Sequence, residues 1–93
     1  MFKVIYHHLA VKDDILKLSS VWKKNIRRAI ETKLTTNPEI YGKPLRRSLR
    51  NYRKLRVGDY RIIFRIEGDF VKILVIKHRS EVYSVVEKRL TRR

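Results

Sequence analysis

Apolar and polar residues alternate along two neighbouring segments in the middle of the chain, between positions 52 and 67. Alternation is typical of strands with one buried face, because successive side chains of a strand point to opposite sides. Pairing the two segments around Val57-Gly58-Asp59 predicts a hairpin with a shared apolar face. The apolar face contains Leu55, Val57, Tyr60, Ile62, Phe64 and Ile66, and the other face, expected to meet solvent, contains Tyr52, Lys54, Arg56, Arg61, Ile63, Arg65 and Glu67.

Two further strands are predicted outside this hairpin. The segment from Phe70 to Lys77 is apolar on both parities, which is typical of a central strand, and Gly68-Asp69 before it suits a two-residue turn. The segment from Phe2 to His7 predicts another strand at the amino terminus. The three later strands are therefore expected to form a meander.

Helical spacing occupies the region between the first strand and the meander. Ser19 or Ser20 is expected to cap the second of two helices, which should end near Thr36 because Pro38 disfavours helix at the residue before it. Trp22 is expected to anchor this helix on the sheet. The apolar residues recur three or four positions apart, first at Val11, Ile15 and Leu18 and then at Trp22, Ile26, Ala29, Ile30 and Leu34.

The resulting order is β-α-α-β-β-β with a short helix over 81–90, which predicts an α+β fold for a single domain spanning residues 1–93. The chain has no cysteine, so it offers neither a disulfide framework nor a thiolate metal site. No apolar run approaches the length of a membrane span, and the amino terminus begins directly as a strand. We therefore expect a cytoplasmic protein with no membrane partner.

The charge of the chain indicates a polyanionic partner. Twenty-four lysines and arginines against nine acidic residues give a formal net charge of +15, and nucleic acid is the first candidate to offset it. Scattered lysines are more often simply solvated, whereas arginines that share a sheet face favour binding. Between positions 43 and 65 a single acid, Asp59, accompanies nine basic residues: Lys43, Arg46, Arg47, Arg50, Arg53, Lys54, Arg56, Arg61 and Arg65.

The last predicted strand runs into the string His78-Arg79-Ser80-Glu81-Val82-Tyr83. Cations, an imidazole and a phenol without an acidic cluster suit chemistry on a phosphodiester. RNA supplies its own nucleophile in the ribose 2′-hydroxyl, so the protein need provide only proton transfer and charge stabilisation. No metal and no other cofactor is expected, since His7 and His8 without nearby carboxylates make a poor metal site.

Four strings of the sequence, in the expected order, resemble the RelE family of bacterial and archaeal toxin–antitoxin systems. The resemblance spans nearly the whole chain and implies a four-stranded, mostly antiparallel sheet, with the first strand beside the last, packed on two amino-terminal helices. It also implies a ribosome-dependent endoribonuclease that cuts mRNA in the decoding site and is held inactive by a cognate antitoxin, expected to be acidic. The strings are Asn37-Pro38-Glu39, Gly42-Lys43-Pro44-Leu45, Lys54-Leu55-Arg56-Val57-Gly58-Asp59-Tyr60-Arg61-Ile62-Ile63-Phe64 and His78-Arg79-Ser80-Glu81-Val82-Tyr83.

By this resemblance, Lys54, Arg56, Arg61 and Tyr83 fall on positions that bind mRNA and assist its cleavage. Arg61 is expected to hold two phosphate oxygens and stabilise the transition state, unless it is a surface arginine in a salt bridge. Lys54 either acts as general base on the 2′-hydroxyl or neutralises phosphate. Tyr83 stacks on a base, contacts the scissile phosphate or simply secures the chain after the last strand.

His78 either protonates the leaving 5′-oxygen or has a structural role. One branch of the family has a lysine where Tyr52 stands and an arginine where Lys77 stands, so Arg53, Lys77 and His78 are candidates to replace those groups. Arg79 is expected to bind phosphate or position the backbone. The expected RNA-binding residues are Arg46, Arg47, Arg50, Arg53, Arg56, Lys77 and Arg79, and the expected catalytic residues are Lys54, Arg61, His78 and Tyr83.

Two other functions stay open at this point. The related ParE type of toxin shares the fold but poisons DNA gyrase by binding, and it would not need Lys54, Arg61 and Tyr83 together. The second alternative is a toxin-like protein that binds the ribosome or RNA without cleaving.

Overall fold

The computed structural model describes residues 1–45, 49 and 51–91, and within them five strands form one sheet in the order β1-β5-β4-β3-β2. β1 pairs with β5 in parallel, and the other neighbours are antiparallel. The α+β class and the position of the first strand beside the last are confirmed. The strands are β1 (Lys3–Tyr6), β2 (Lys43–Pro44), β3 (Arg53–Val57), β4 (Tyr60–Glu67) and β5 (Phe70–His78). The sheet has one strand more than predicted, because the two-residue β2 is too short to show alternation.

The helical region follows the predicted spacing, but two of its segments are π-helical rather than α-helical. A π-helical segment, Ala10–Ile15, precedes α1 (Ser20–Ala29), which runs into a second π-helical segment, Ile30–Leu34. Ser19 caps α1, since its hydroxyl accepts a hydrogen bond from the backbone N–H of Trp22 at 3.3 Å.

Two further helices lie outside this region. Pro38 begins a short helix, α2 (Pro38–Tyr41), where its missing N–H costs nothing, and α3 (Val82–Thr91) follows β5. Among the helices of the described residues, none has the length and continuous apolar character of a membrane-spanning segment.

Both faces of the sheet are covered, which corrects the expectation that one face of the hairpin meets solvent. Leu55, Ile62 and Phe64 belong to a core shared with the amino-terminal helical segments. On the other face, Ile63 and Val75 form a second core with side chains of α3. Ile63 is fully buried there because α3 folds back across this face.

β5 is apolar on both parities because both of its faces are buried, and a β-bulge decides which of its residues faces which core. Ile63 pairs with Val75, but its neighbour Phe64 pairs with Ile73, which leaves Leu74 as an extra residue. Ile73 therefore joins the core under α1, whereas Leu74 and Val75 join the core under α3.

The turn between β3 and β4 requires glycine for two reasons. Val57 pairs with Tyr60 across a two-residue turn, and Gly58 has a φ of +58°, which side chains other than glycine rarely adopt. A Cβ at Gly58 would also lie 2.5 Å from Cη2 of Trp22. The turn thus rests directly on the indole ring, and the expected role of Trp22 in anchoring helix to sheet is confirmed.

Candidate active site

Basic side chains from three neighbouring strands meet on the face of the sheet that α3 partly covers. Together with one tyrosine they line a cavity of about 220 Å³, which we call the cationic cavity. Its lining residues are Tyr41, Lys43 of β2, Lys54 and Arg56 of β3, and Arg61 of β4.

The strand register places like charges opposite one another in this cavity. Lys43 pairs with Lys54, and Arg56 pairs with Arg61. Like charges directly opposite on neighbouring strands destabilise a sheet. Among the residues described, no carboxylate lies within 4.0 Å of any of the four side chains. The cavity therefore holds positive charge that a bound anion would neutralise.

The guanidinium of Arg61 is oriented by the β3–β4 turn. Its Nη1 donates hydrogen bonds to the backbone oxygens of Gly58 at 2.8 Å and Tyr60 at 2.9 Å. Both hydrogen bonds use Nη1. The parallel N–H groups of Nε and Nη2 form another edge of the guanidinium, which points away from these two backbone oxygens. That edge has the geometry for a bidentate contact with phosphate. Because the turn rests on Trp22, helix α1 helps to fix the orientation of Arg61.

Tyr83 lies in the first turn of α3, beside Lys54. The ammonium nitrogen of Lys54 is 5.8 Å from the centroid of the Tyr83 ring, and Tyr83 is 44% exposed. The fold therefore brings together Lys54, Arg56, Arg61 and Tyr83, which lie far apart in sequence.

His78, in contrast, lies on the opposite face of the sheet. It pairs with Tyr60, and their rings meet edge-on with centroids 5.8 Å apart. Tyr60 in turn packs on Trp22 of α1, with centroids 4.7 Å apart. Nδ1 of His78 accepts a hydrogen bond from the backbone N–H of Ser80 at 3.1 Å. The sheet thus separates this imidazole from the cationic cavity.

Three of the predicted RNA-binding residues are engaged by the protein itself. Nη1 of Arg53 donates to the backbone oxygens of Gly42 at 2.9 Å and Glu39 at 3.3 Å, at the end of α2. Arg79 donates its backbone N–H to the oxygen of Asp59 at 2.8 Å, and its Nε is 3.7 Å from the Asp59 carboxylate. Lys77 has ion-pair partners on the first π-helical segment. Arg46, Arg47 and Arg50 lie outside the described residues.

Lys77 belongs to a buried ionic cluster that the pattern of the sequence does not reveal. The Asp14 carboxylate, fully buried, accepts the backbone N–H of Ile76 at 2.8 Å and two hydrogen bonds from Arg89 at 2.7 Å each. Arg89 also donates to the backbone oxygen of Leu74 at 2.9 Å. Because β1 pairs with β5 only as far as Ile73, these two side chains satisfy the strand edge that β1 leaves open.

The ammonium of Lys77 completes this cluster. It lies 3.2 Å from the carboxylate of Asp13 and 3.3 Å from that of Asp14. Burial disfavours its charged form, but the hydrogen bond to Asp13 and the charge of Asp14 outweigh burial and raise the pKa of Lys77. We refer to Asp13, Asp14, Lys77 and Arg89 as the ionic cluster.

A family model described as the ParE toxin of the type II toxin–antitoxin system, parDE, matches residues 2–83. The chain belongs to this toxin family, within the RelE/ParE superfamily. It is 31% identical to a chain of the RelBE2 toxin–antitoxin complex from Mycobacterium tuberculosis, with a TM-score of 0.77 over 84% of this toxin and 98% of that chain.

Two further comparisons agree with this assignment. The isolated RelE toxin of E. coli shares the fold, with a TM-score of 0.72 at 22% identity over 97% of this toxin and 99% of that chain. Toxin RelG of Mycobacterium tuberculosis is 35% identical over 52 residues, which is 54% of this chain and 60% of RelG. This match thus spans less than two thirds of that curated relative.

Proposed function

We propose that this toxin is a ribosome-dependent endoribonuclease that blocks translation by cutting mRNA. The cationic cavity is the observation that supports the proposal. It contains two like-charged cross-strand pairs, and in one of them the Nε–Nη2 edge of Arg61 suits a phosphate. Repulsion of this kind is offset when the phosphates of a polyanion bind.

In the proposed mechanism, the ribose 2′-hydroxyl attacks the adjacent phosphorus and the bond to the 5′-oxygen breaks. Arg61 holds two phosphoryl oxygens and stabilises the charge added in the pentacovalent transition state. Lys54 either takes the proton of the 2′-hydroxyl or neutralises the phosphate, and the Tyr83 hydroxyl donates a hydrogen bond to the scissile phosphate. The departing 5′-oxygen takes a proton from solvent water, so the products are a 2′,3′-cyclic phosphate and a 5′-hydroxyl. His78 is given no role in this step because it lies across the sheet from the cavity.

We also propose that Lys43 and Arg56 bind the phosphates that flank the cleaved bond, and that Arg46, Arg47 and Arg50 bind the ribosome. An acidic antitoxin is the proposed inhibitor. Related structures from Mycobacterium tuberculosis and Methanococcus jannaschii are toxin–antitoxin complexes, and a net charge of +15 favours an acidic partner here.

The proposal is tested by incubating the purified toxin with ribosomes programmed with a defined mRNA and mapping the new 5′ ends by primer extension. We expect cleavage within the codon in the decoding site and intact RNA when ribosomes are omitted. Translation that stops while the mRNA stays intact would instead identify a binding protein that does not cleave.

The description of the matching family model supports a second candidate, a ParE-like toxin that acts on DNA gyrase. This activity predicts that the toxin inhibits supercoiling of relaxed plasmid by purified gyrase at concentrations that leave ribosome-bound mRNA intact. Arg61→Ala should spare that inhibition, because binding to gyrase would not need a phosphoryl-transfer site.

A further inference from the structure

Tyr41 lies on the rim of the cationic cavity, and the proposed chemistry does not use it. Tyr41 lines the cavity together with Lys43, Lys54, Arg56 and Arg61. The residue is 44% exposed, so a large aromatic surface faces solvent beside four cations. Neither core packing nor the cleavage step accounts for this placement.

The short helix that carries Tyr41 is fixed firmly to the sheet. A helix of four residues is not stable alone, so tertiary contacts must hold α2. Pro38 is fully buried at its start, and at its end Arg53 donates hydrogen bonds to the backbone oxygens of Glu39 and Gly42. A Cβ at Gly42 would clash with the Phe64 ring, so the backbone directly after Tyr41 packs against the core.

The Tyr41 ring also has a cation close to it. The ammonium nitrogen of Lys33 lies 5.5 Å from the ring centroid, within the range of a cation–π contact. A fixed helix and a neighbouring cation together restrict the ring. Little conformational entropy would therefore be lost when a ligand stacks on it.

We propose that Tyr41 is a stacking platform for a nucleobase of single-stranded RNA whose phosphates lie on the cations of the cavity. Grooves that bind single strands combine a cationic track for the backbone with aromatic faces for the bases. The inference rests on the RNA substrate proposed above and adds a base subsite to it. Since every base has a π-face, stacking on Tyr41 contributes affinity at one position of the strand with little preference for sequence.

The test uses a short single-stranded RNA in which every ribose carries a 2′-O-methyl group, so that it cannot be cleaved. An abasic nucleotide is moved along this RNA, and binding is followed by fluorescence anisotropy at low salt. For the wild-type toxin, we expect one abasic position to weaken binding roughly tenfold, the scale of base–aromatic stacking. Tyr41→Ala should bind the complete RNA about tenfold more weakly and be indifferent to that position.

Two variants act as controls. Tyr41→Phe keeps the stacking surface and should behave as wild type. Ile40→Ala changes the neighbouring residue on α2, which is 76% exposed and does not line the cavity, and should also leave RNA binding unchanged. Loss of binding in Ile40→Ala would mean that α2 itself had been disturbed, and would overturn the assignment to the Tyr41 ring.

The outcomes separate this inference from the proposed cleavage. If wild type and Tyr41→Ala lose the same affinity at every abasic position, or if wild type binds no RNA, the stacking site is wrong even where ribosome-bound mRNA is cut. If the abasic effect depends on Tyr41 but ribosome-bound mRNA stays intact, the stacking site stands and the endoribonuclease proposal fails.

Discussion

Two groups of basic residues on the same sheet differ in what surrounds them. In the ionic cluster, Lys77 and Arg89 face the carboxylates of Asp13 and Asp14, and the side chain of Arg89 is only 5% exposed. In the cationic cavity, lysine faces lysine and arginine faces arginine across the strands. The first group is neutralised within the fold, whereas the second is left for a partner to neutralise.

In a chain of net charge +15, contacts rather than charge count therefore distinguish cations that are neutralised within the fold from cations that are available to a partner. A buried cation needs a carboxylate and hydrogen bonds to offset the cost of leaving water. Like-charged cross-strand pairs reduce the stability of a sheet. They are therefore expected at places where binding or catalysis requires positive charge.

Asp14→Ala should have the largest effect on stability. The substitution leaves Arg89 buried without its bidentate partner and removes the acceptor of the Ile76 N–H, so we expect the free energy of unfolding to fall by about 3–5 kcal/mol. Urea denaturation measures this loss. The control is Asp13→Ala, whose carboxylate is 36% exposed and whose loss should destabilise the protein much less than the loss of Asp14. Equal losses in the two variants would contradict the central role of Asp14.

Arg61→Ala should have the largest effect on chemistry, lowering the single-turnover rate on ribosome-bound mRNA on the order of 10²-fold. The free energy of unfolding should change by no more than about 1 kcal/mol, because the loss of the two Nη1 hydrogen bonds to the turn is partly offset by relief of repulsion with Arg56. Arg65→Ala is the matched control, on the same strand and face but paired with Glu67 at 2.9 Å. Similar rates for wild type and Arg61→Ala, or similar losses in the two variants, would refute a special role for Arg61.

Arg53→Lys decides whether this arginine supports the fold or binds RNA directly. A lysine cannot reproduce the two hydrogen bonds that Nη1 makes at the end of α2, so we expect the free energy of unfolding to fall by about 1 kcal/mol. The amide NMR signal of Tyr41 should shift in the absence of RNA. Unchanged stability with weaker RNA binding would instead assign Arg53 to the RNA interface.

Lys43→Gln should have the smallest effect on stability, and it should stabilise the protein, whereas Asp14→Ala destabilises it. Removing one member of the Lys43–Lys54 pair relieves repulsion, so we expect a gain of a few tenths of a kcal/mol in the free energy of unfolding. Thermal denaturation at low ionic strength, where repulsion is least screened, detects the change. A loss of stability would mean that Lys43 is compensated in a way that the cross-strand pairing does not predict.

Part of this site could be predicted from sequence because the side-chain period of a strand is fixed by its backbone. Alternation was sufficient to locate β3 and β4 and to bring Lys54, Arg56 and Arg61 to one face. It did not reveal that α3 covers Ile63, because the element that packs on a face is decided by tertiary structure.

The remaining features depend on register and on short elements. The pairing of His78 with Tyr60, which places this imidazole on the far face, follows from how β5 aligns with β4. Tyr41 lies on a helix of four residues, which is too short for periodicity. Asp14 is a polar residue beside an apolar stripe, and only its partners Ile76 and Arg89, distant in sequence, indicate that it is buried.

We propose that the cationic cavity promotes attack by the 2′-hydroxyl of the substrate itself. Mass spectrometry of the fragments released from ribosome-bound mRNA tests it most directly, with a chelator of transition metals present and magnesium kept at a level that preserves ribosomes. We expect a 2′,3′-cyclic phosphate on the upstream fragment and a 5′-hydroxyl on the downstream fragment. Fragments with 5′-phosphates, or mRNA that stays intact, would contradict it.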